Sequence, residues 1–277
     1  MYDIYKKSAE IIKSADALLI TAGAGMGVDS GLPDFRGQHG FWREYPAIEK
    51  LGYRFEEMAN PKWFVSNPKL AWAFYGHRHN LYRKTIPHKG FDIILSLAEK
   101  LPLGYFVVTS NVDGQFQKAG FDTQKIYEIH GNINFLQCSI PCTEKIWTVE
   151  KLDIKINFET FEAVGNLPLC PFCNEIARPN ILMFSDFSWL ASRSEAQSRR
   201  FTQWLDTLTR KKIVIIEIGA GNFVPSIRNL SEQIVYSSKA KLIRINPRDF
   251  YVPQGQISIN TGALEALEKI YEYFKIL

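Results

Sequence analysis

Residues 17–37 read ALLITAGAGMGVDSGLPDFRG, and the passage from an apolar run into glycines decides the fold. Residues 17–21 (ALLIT) are apolar without alternation, the pattern of a parallel strand buried on both faces. They lead into Ala22-Gly23-Ala24-Gly25-Met26-Gly27, where missing side chains let backbone N–H groups and a helix N-terminus approach a pyrophosphate. Similar apolar runs recur at 105–109 (YFVVT), 213–218 (IVIIEI) and 241–245 (KLIRI). Helical spacing of apolar residues appears at 70–83 and 90–100 on one side, with His88 fixing the start of the second helix. It reappears at 192–209 and 225–238 on the other side, and at 261–277 as a closing helix. Strands alternating with helices predict an α/β fold with a Rossmann-like, doubly wound parallel sheet. The acidic residue that dehydrogenases carry about 20 residues past the glycines is not at a recognisable strand end, which disfavours hydride transfer.

Residues 135–178 break this rhythm. They hold all four cysteines, as Cys138-x3-Cys142 and Cys170-x2-Cys173 with 27 residues between the pairs. The alternating KIWTVEKLDIKINFE within them predicts short antiparallel strands. In a chain without an export signal, paired cysteines read as a metal site before disulfides. Four thiolates complete a tetrahedral structural zinc site with no open position for chemistry; unligated thiols in a relic of such a module are the alternative. The expected organisation is a Rossmann-like dinucleotide-binding domain over 1–134 and 179–277, with a small zinc-binding insertion at 135–178. Residues 34–67, rich in aromatics, Gly and Pro, are long for a connection and read as a cofactor-binding lid.

Composition narrows the function. A chain of 277 residues, 46% hydrophobic, can bury a full core, and its net charge of +4 is too weak a bias to argue for nucleic acid. Residues 1–14 mix charges with apolar residues at helical spacing, as in a surface helix and not a signal peptide. No apolar run approaches the roughly 18 residues of a membrane span. A reducing cytoplasm is the expected compartment.

The block TAGAGMGVDSGLPDFRG closely resembles the signature of the sirtuins, the NAD-dependent protein deacylases, and three further blocks agree in order. These are Thr109-Ser110-Asn111-Val112-Asp113, Glu128-Ile129-His130-Gly131, and Arg178-Pro179-Asn180-Ile181-Leu182-Met183-Phe184. Gly219-Ala220-Gly221 and Asn246-Pro247, each after a strand, resemble the segments that hold the adenosine half of NAD. The resemblance implies NAD as co-substrate, held by Ala22, Gly23, Ala24, Gly25, Ser110, Gly219, Ala220 and Asn246. Asp34 and Arg36 would clamp ribose and pyrophosphate, and Phe35 would shield the reacting carbon. Asn111 would orient the ribose and a water, Asp113 would bind the nicotinamide carboxamide, and His130 would act as general base. Taken alone, a His before Gly also serves to cap a strand; its company in register gives it the catalytic role.

Tyr75-Gly76-His77-Arg78 bears on substrate class. Residues three apart on a helix share a face, and sirtuins preferring succinyl, malonyl or glutaryl lysine carry a Tyr-x-x-Arg here for the distal carboxylate. Chance spacing, with Arg78 paired to a surface acid, is the alternative. The sequence departs from the family at Gly27 (usually Ser), Ser110 (Gln) and Gly221-Asn222 (Ser-Leu). It also departs at Met183 and Phe184-Ser185-Asp186, where Trp and Phe-Gly-Glu are common in the segment that pairs with substrate backbone. Phe184 remains the expected peptide contact. The resemblance thus implies a lysine deacylase acting on an acylated protein or peptide. An ADP-ribosyltransferase or NAD glycohydrolase is one alternative, and a non-catalytic NAD or ADP-ribose binding module another; the oligomeric state stays open.

Overall fold

The first strand forms where side chains can be buried on both faces of a sheet. β1 (Ala17–Ala22), β2 (Tyr105–Thr109) and β3 (Ile126–Glu128) come first in the chain. The insertion follows with β4 (Gly131–Cys138), β5 (Trp147–Thr148), β6 (Lys155–Asn157), β7 (Glu162–Val164) and β8 (Ala177–Ile181). β9 (Ile213–Ile218), β10 (Lys241–Ile245) and β11 (Ile257–Ile259) complete it. The structure is a computed structural model that describes residues 3–34, 52–148 and 152–277.

The main sheet runs β11-β10-β9-β1-β2-β3 with every pair parallel. Leu18 and Ile20 point to the face covered by helices Ile4–Lys13, Lys89–Glu99 and Ala263–Ile276. Ala17 and Leu19 point to the face covered by Ser192–Asp206 and Ser226–Ser238. The sheet is therefore the doubly wound α/β arrangement that the alternating pattern predicts. The strand order reverses between β1 and β9, so their carboxyl ends open the crevice where such sheets bind ligands. His88 accepts a hydrogen bond from the Gly90 N–H at 3.0 Å and caps its helix. The Ser192–Asp206 helix stops short of residue 209 because the Thr207 hydroxyl turns back to the Trp204 carbonyl at 2.6 Å.

The insertion forms an antiparallel sheet β5-β4-β8 and a β6–β7 hairpin, as the alternating stretch predicts. A third apolar core joins it to the Pro68–Lys84 helix through Trp72, Phe74, Leu136, Ile154, Phe161 and Ala177. The Trp72 indole N–H donates to the Ala177 carbonyl at 2.9 Å, and Asn80 Nδ2 donates to the Ile154 carbonyl at 2.8 Å. Gly76 lets hairpin and helix touch: a Cβ there would lie 2.5 Å from Ile154 Cβ. The edge strands β3 and β11, three residues each, carry too little periodicity to be read from sequence. No helix among the described residues is long and apolar enough to cross a membrane.

Candidate active site

The crevice is lined first by backbone. Gly219 sits at φ +63°, and a Cβ on it would come within 2.4 Å of the Gly25 backbone; one on Gly25 would lie 2.6 Å from Gly219 Cα. The turns after β1 and β9 thus touch main chain to main chain, with the Gly25 N–H donating to the Gly219 carbonyl at 3.1 Å. Only glycine permits both the positive φ and the approach. The 3-10 helix Ala24–Ser30 starts at this contact.

Asn246, after β10, holds the neighbouring loop. Its Nδ2 donates to the Ala220 carbonyl at 2.8 Å, and its Oδ1 accepts from the N–H groups of Arg248 and Asp249 at 3.0 Å each. Beneath that loop, Arg244 is buried against Glu217, with Nε to Oε1 at 2.5 Å. Arg228 donates to the carbonyls of Asp249 and Tyr251 at 2.6 and 3.1 Å. Neither arginine stands out in the sequence, because both lie in elements that read as ordinary strand and helix.

A cavity of about 390 Å³ brings most of the expected residues together. One wall carries Gly23, Ala24, Asp34, Ser110, Asn111, Asp113, His130 and Ala220; the other carries Tyr75, Arg78 and Phe184 with Phe55 and Tyr82. A smaller adjoining cavity of about 80 Å³ is lined by Gly25, Asp34, Gly219, Asn246 and Arg248. Asp34 borders both and forms an ion pair with Arg248. Ala22 lines neither. It is the fully buried end of β1, and its carbonyl accepts from the Ser110 N–H at 3.0 Å. Phe35 and Arg36 lie outside the described residues.

Asn111 is fixed at both ends, its N–H on Thr109 Oγ1 and its Nδ2 on the Gly23 carbonyl, each at 3.0 Å. Burial pushes the His130 imidazole below its ordinary pKa, opposed by a hydrogen bond to the Ser110 backbone, a shift that favours the neutral, proton-accepting form. Its segment is anchored by the buried Glu128 carboxylate, which accepts from Gln117 at 2.8 Å, Gln197 at 3.3 Å, Asn132 and Arg193. Burial raises Asp113 to about 6; the Gln115 N–H opposes this, Glu128 adds to it, and the Arg78 guanidinium opposes it.

On the facing wall, Arg78 donates from Nε and Nη2 to the Tyr82 hydroxyl at 3.1 and 2.9 Å. Burial keeps the Tyr75 phenol protonated well above the usual tyrosine range. The Phe184 N–H donates to the Ala59 carbonyl at 2.9 Å, and its ring meets Phe55 edge to face. Ser185 takes a left-handed φ of +55°. Asp186 forms a fully buried double contact with Arg178 at 2.8 and 2.9 Å. Tyr82, four residues past Arg78 and so on the same helix face, is a site residue that the sequence reading misses, as are Phe55 and Arg248.

The four cysteine sulfurs all lie within 4.8 Å of one another. Cys138 and Cys173, and likewise Cys142 and Cys170, are 3.6 Å apart. Zinc–sulfur bonds of about 2.3 Å set tetrahedral S···S separations of about 3.8 Å, so the cluster fits a structural zinc despite the extra residue in the first pair.

The sequence profile of the Sir2 family matches residues 23–196. An NAD-dependent protein deacylase of Aquifex aeolicus (strain VF5) is 27% identical over 263 residues, covering 93% of this chain and 95% of that protein. One from Leptospira interrogans serogroup Icterohaemorrhagiae serovar Lai (strain 56601) is 31% identical over 227 residues, covering 82% and 79%. A solved Sir2–p53 peptide–NAD+ complex superposes with a TM-score of 0.70 over 98% of this chain and 99% of that one, at 24% identity, which shows the shared fold. With the profile spanning well over half of its length, the chain belongs to the Sir2 family.

Proposed function

We propose that the protein is an NAD-dependent protein lysine deacylase with an acyl channel suited to acidic acyl groups. The observation that carries this reading is one cavity lined by a backbone cradle, a buried histidine and a basic, aromatic wall. Residues 1–134 and 179–277 would bind NAD, 34–67 would close over it, and 135–178 would hold zinc through Cys138, Cys142, Cys170 and Cys173 as structural support.

The glycine turns would take the pyrophosphate, and Asp113 would accept hydrogen bonds from the nicotinamide carboxamide. As the bond from the anomeric carbon to nicotinamide breaks, nicotinamide leaves with the electron pair and the acyl oxygen bonds to that carbon. His130 then takes the proton of a ribose hydroxyl, whose oxygen attacks the acyl carbon; a water adds there as the carbon–nitrogen bond breaks, the lysine amine leaves protonated, and the acyl group stays on the ribose as O-acyl-ADP-ribose. Asn111, held on Gly23, orients the ribose. Tyr75, its phenol proton available to donate, and Arg78 as a buried cation would meet the distal carboxylate of a succinyl, malonyl or glutaryl group.

One observation favours transfer of ADP-ribose to a side chain or to water as a second reading. The peptide platform is partly spent internally, with the Phe184 N–H on Ala59 and Asp186 on Arg178. Incubation with NAD and a panel of acyl-lysine peptides separates the readings. Peptide-dependent nicotinamide release with O-acyl-ADP-ribose supports the deacylase, ADP-ribose formed without peptide supports the hydrolase, and no nicotinamide release removes both enzymes. Metal analysis of the purified chain should give one zinc per molecule; none would refute the zinc assignment.

A further inference from the structure

Arg78 is almost fully buried, and its guanidinium carbon lies 5.3 to 5.9 Å from the ring centres of Phe74, Phe55, Tyr82 and Tyr75. A cation so enclosed attracts an entering anion strongly, since little water screens the pair. Its usefulness depends on where the planar fork points. Five N–H groups in fixed geometry recognise a carboxylate only when the plane is held. The Tyr82 hydroxyl holds that plane by accepting from both Nε and Nη2, at 3.1 and 2.9 Å.

Tyr82 is itself tied to the other wall. Its carbonyl accepts from Gln115 Nε2 at 3.0 Å, and the Gln115 N–H donates to Asp113 Oδ1 at 2.9 Å. A continuous series of contacts, Arg78–Tyr82–Gln115–Asp113, therefore joins the residue that would read the acyl group to the one that would bind the carboxamide. Tyr82 is 5% exposed and borders the cavity, so this order is maintained at the channel floor.

We propose that Tyr82 is a positioning residue for acyl selectivity: its phenol oxygen locks the Arg78 guanidinium so that the Nη1–Nη2 edge meets the carboxylate of a dicarboxylic acyl-lysine. This rests on the acidic-acyl reading above. A residue serving packing alone would, when changed, lower turnover of every acyl substrate alike. The proposed role acts on the ratio between substrates.

The test is kcat/KM for succinyl-lysine over acetyl-lysine peptides at saturating NAD, in the wild-type chain, Tyr82→Phe, Arg78→Met and the double variant. Tyr82→Phe keeps the ring and removes only the acceptor. It should lower the ratio at least tenfold, with the change in the KM for succinyl-lysine and not in kcat. The double variant should match Arg78→Met, because Tyr82 acts only through Arg78. An unchanged ratio in Tyr82→Phe, with a collapsed ratio in Arg78→Met, overturns the positioning role and spares the acidic-acyl reading. A ratio insensitive to Arg78→Met, or a wild-type chain inactive on succinyl-lysine, removes that reading and the Tyr82 role with it.

Discussion

The two walls of the cavity are built differently. The cofactor side is mostly main chain: Gly25 against Gly219, the Gly23 carbonyl holding Asn111, and Asn246 shaping its own loop. The proposed acyl side is long side chains, Tyr75, Arg78 and Tyr82 from the Pro68–Lys84 helix with Phe55 and Phe184 beside them. A wall of backbone is set by the sheet and tolerates little change. A wall of side chains depends on how an insertion packs, here on the β6–β7 hairpin seated against Gly76. The contrast teaches that in this fold the proposed cofactor cradle is set by topology and the proposed acyl wall by local packing.

The hardest break is at the base. His130→Ala should lower turnover by about 10²- to 10⁴-fold, the usual worth of a general base. Its dissociation constant for NAD, by titration, should stay within the same order of magnitude. Retained turnover would remove the assigned base. Next comes the contact between the glycine turns. Gly219→Ala should destabilise the chain by about 2–4 kcal/mol through backbone strain and overpacking, read from the denaturation midpoint. Gly31→Ala, also at positive φ but with open space around it, should lose only about 1 kcal/mol. Equal losses would mean that strain, and not the touching turns, explains the glycine.

On the acyl wall, Arg78→Met should reduce the preference for succinyl- over acetyl-lysine by about 2–3 kcal/mol, the worth of a charged hydrogen-bonded contact. A preference that does not move would reject the carboxylate reader. The smallest expected effect joins the walls. Arg78 lowers the pKa of Asp113, which stands at about 6, so removing Arg78 raises it and leaves more Asp113 protonated at a given pH. The acid limb of kcat/KM should then shift to higher pH in Arg78→Met. An unshifted limb would separate the walls electrostatically.

What the sequence reveals follows the same division. β1, β2, β9 and β10 are legible because buried parallel strands need uninterrupted apolar runs, and Gly23, Gly25 and Gly219 because their positions require glycine. The catalytic blocks are legible as short motifs in a fixed order. β3 and β11 are too short for periodicity to show. Tyr82 escapes notice because a tyrosine on an amphipathic helix usually packs, and only the 2.9 Å contact with Arg78 distinguishes it. Glu128 can be read as part of a motif, yet its partner Arg193 lies 65 residues away and no local pattern links them. Ala22 belongs to the motif by sequence while its side chain points into the core.

The central claim is that this cavity releases nicotinamide when an acylated lysine enters beside His130. Mass spectrometry of a reaction with NAD and a succinyl-lysine peptide tests it most directly. The account predicts nicotinamide, deacylated peptide and O-succinyl-ADP-ribose in equal amounts, their turnover lowered by about 10²- to 10⁴-fold in His130→Ala. Nicotinamide unaccompanied by deacylated peptide, or none with any acyl peptide, would contradict it.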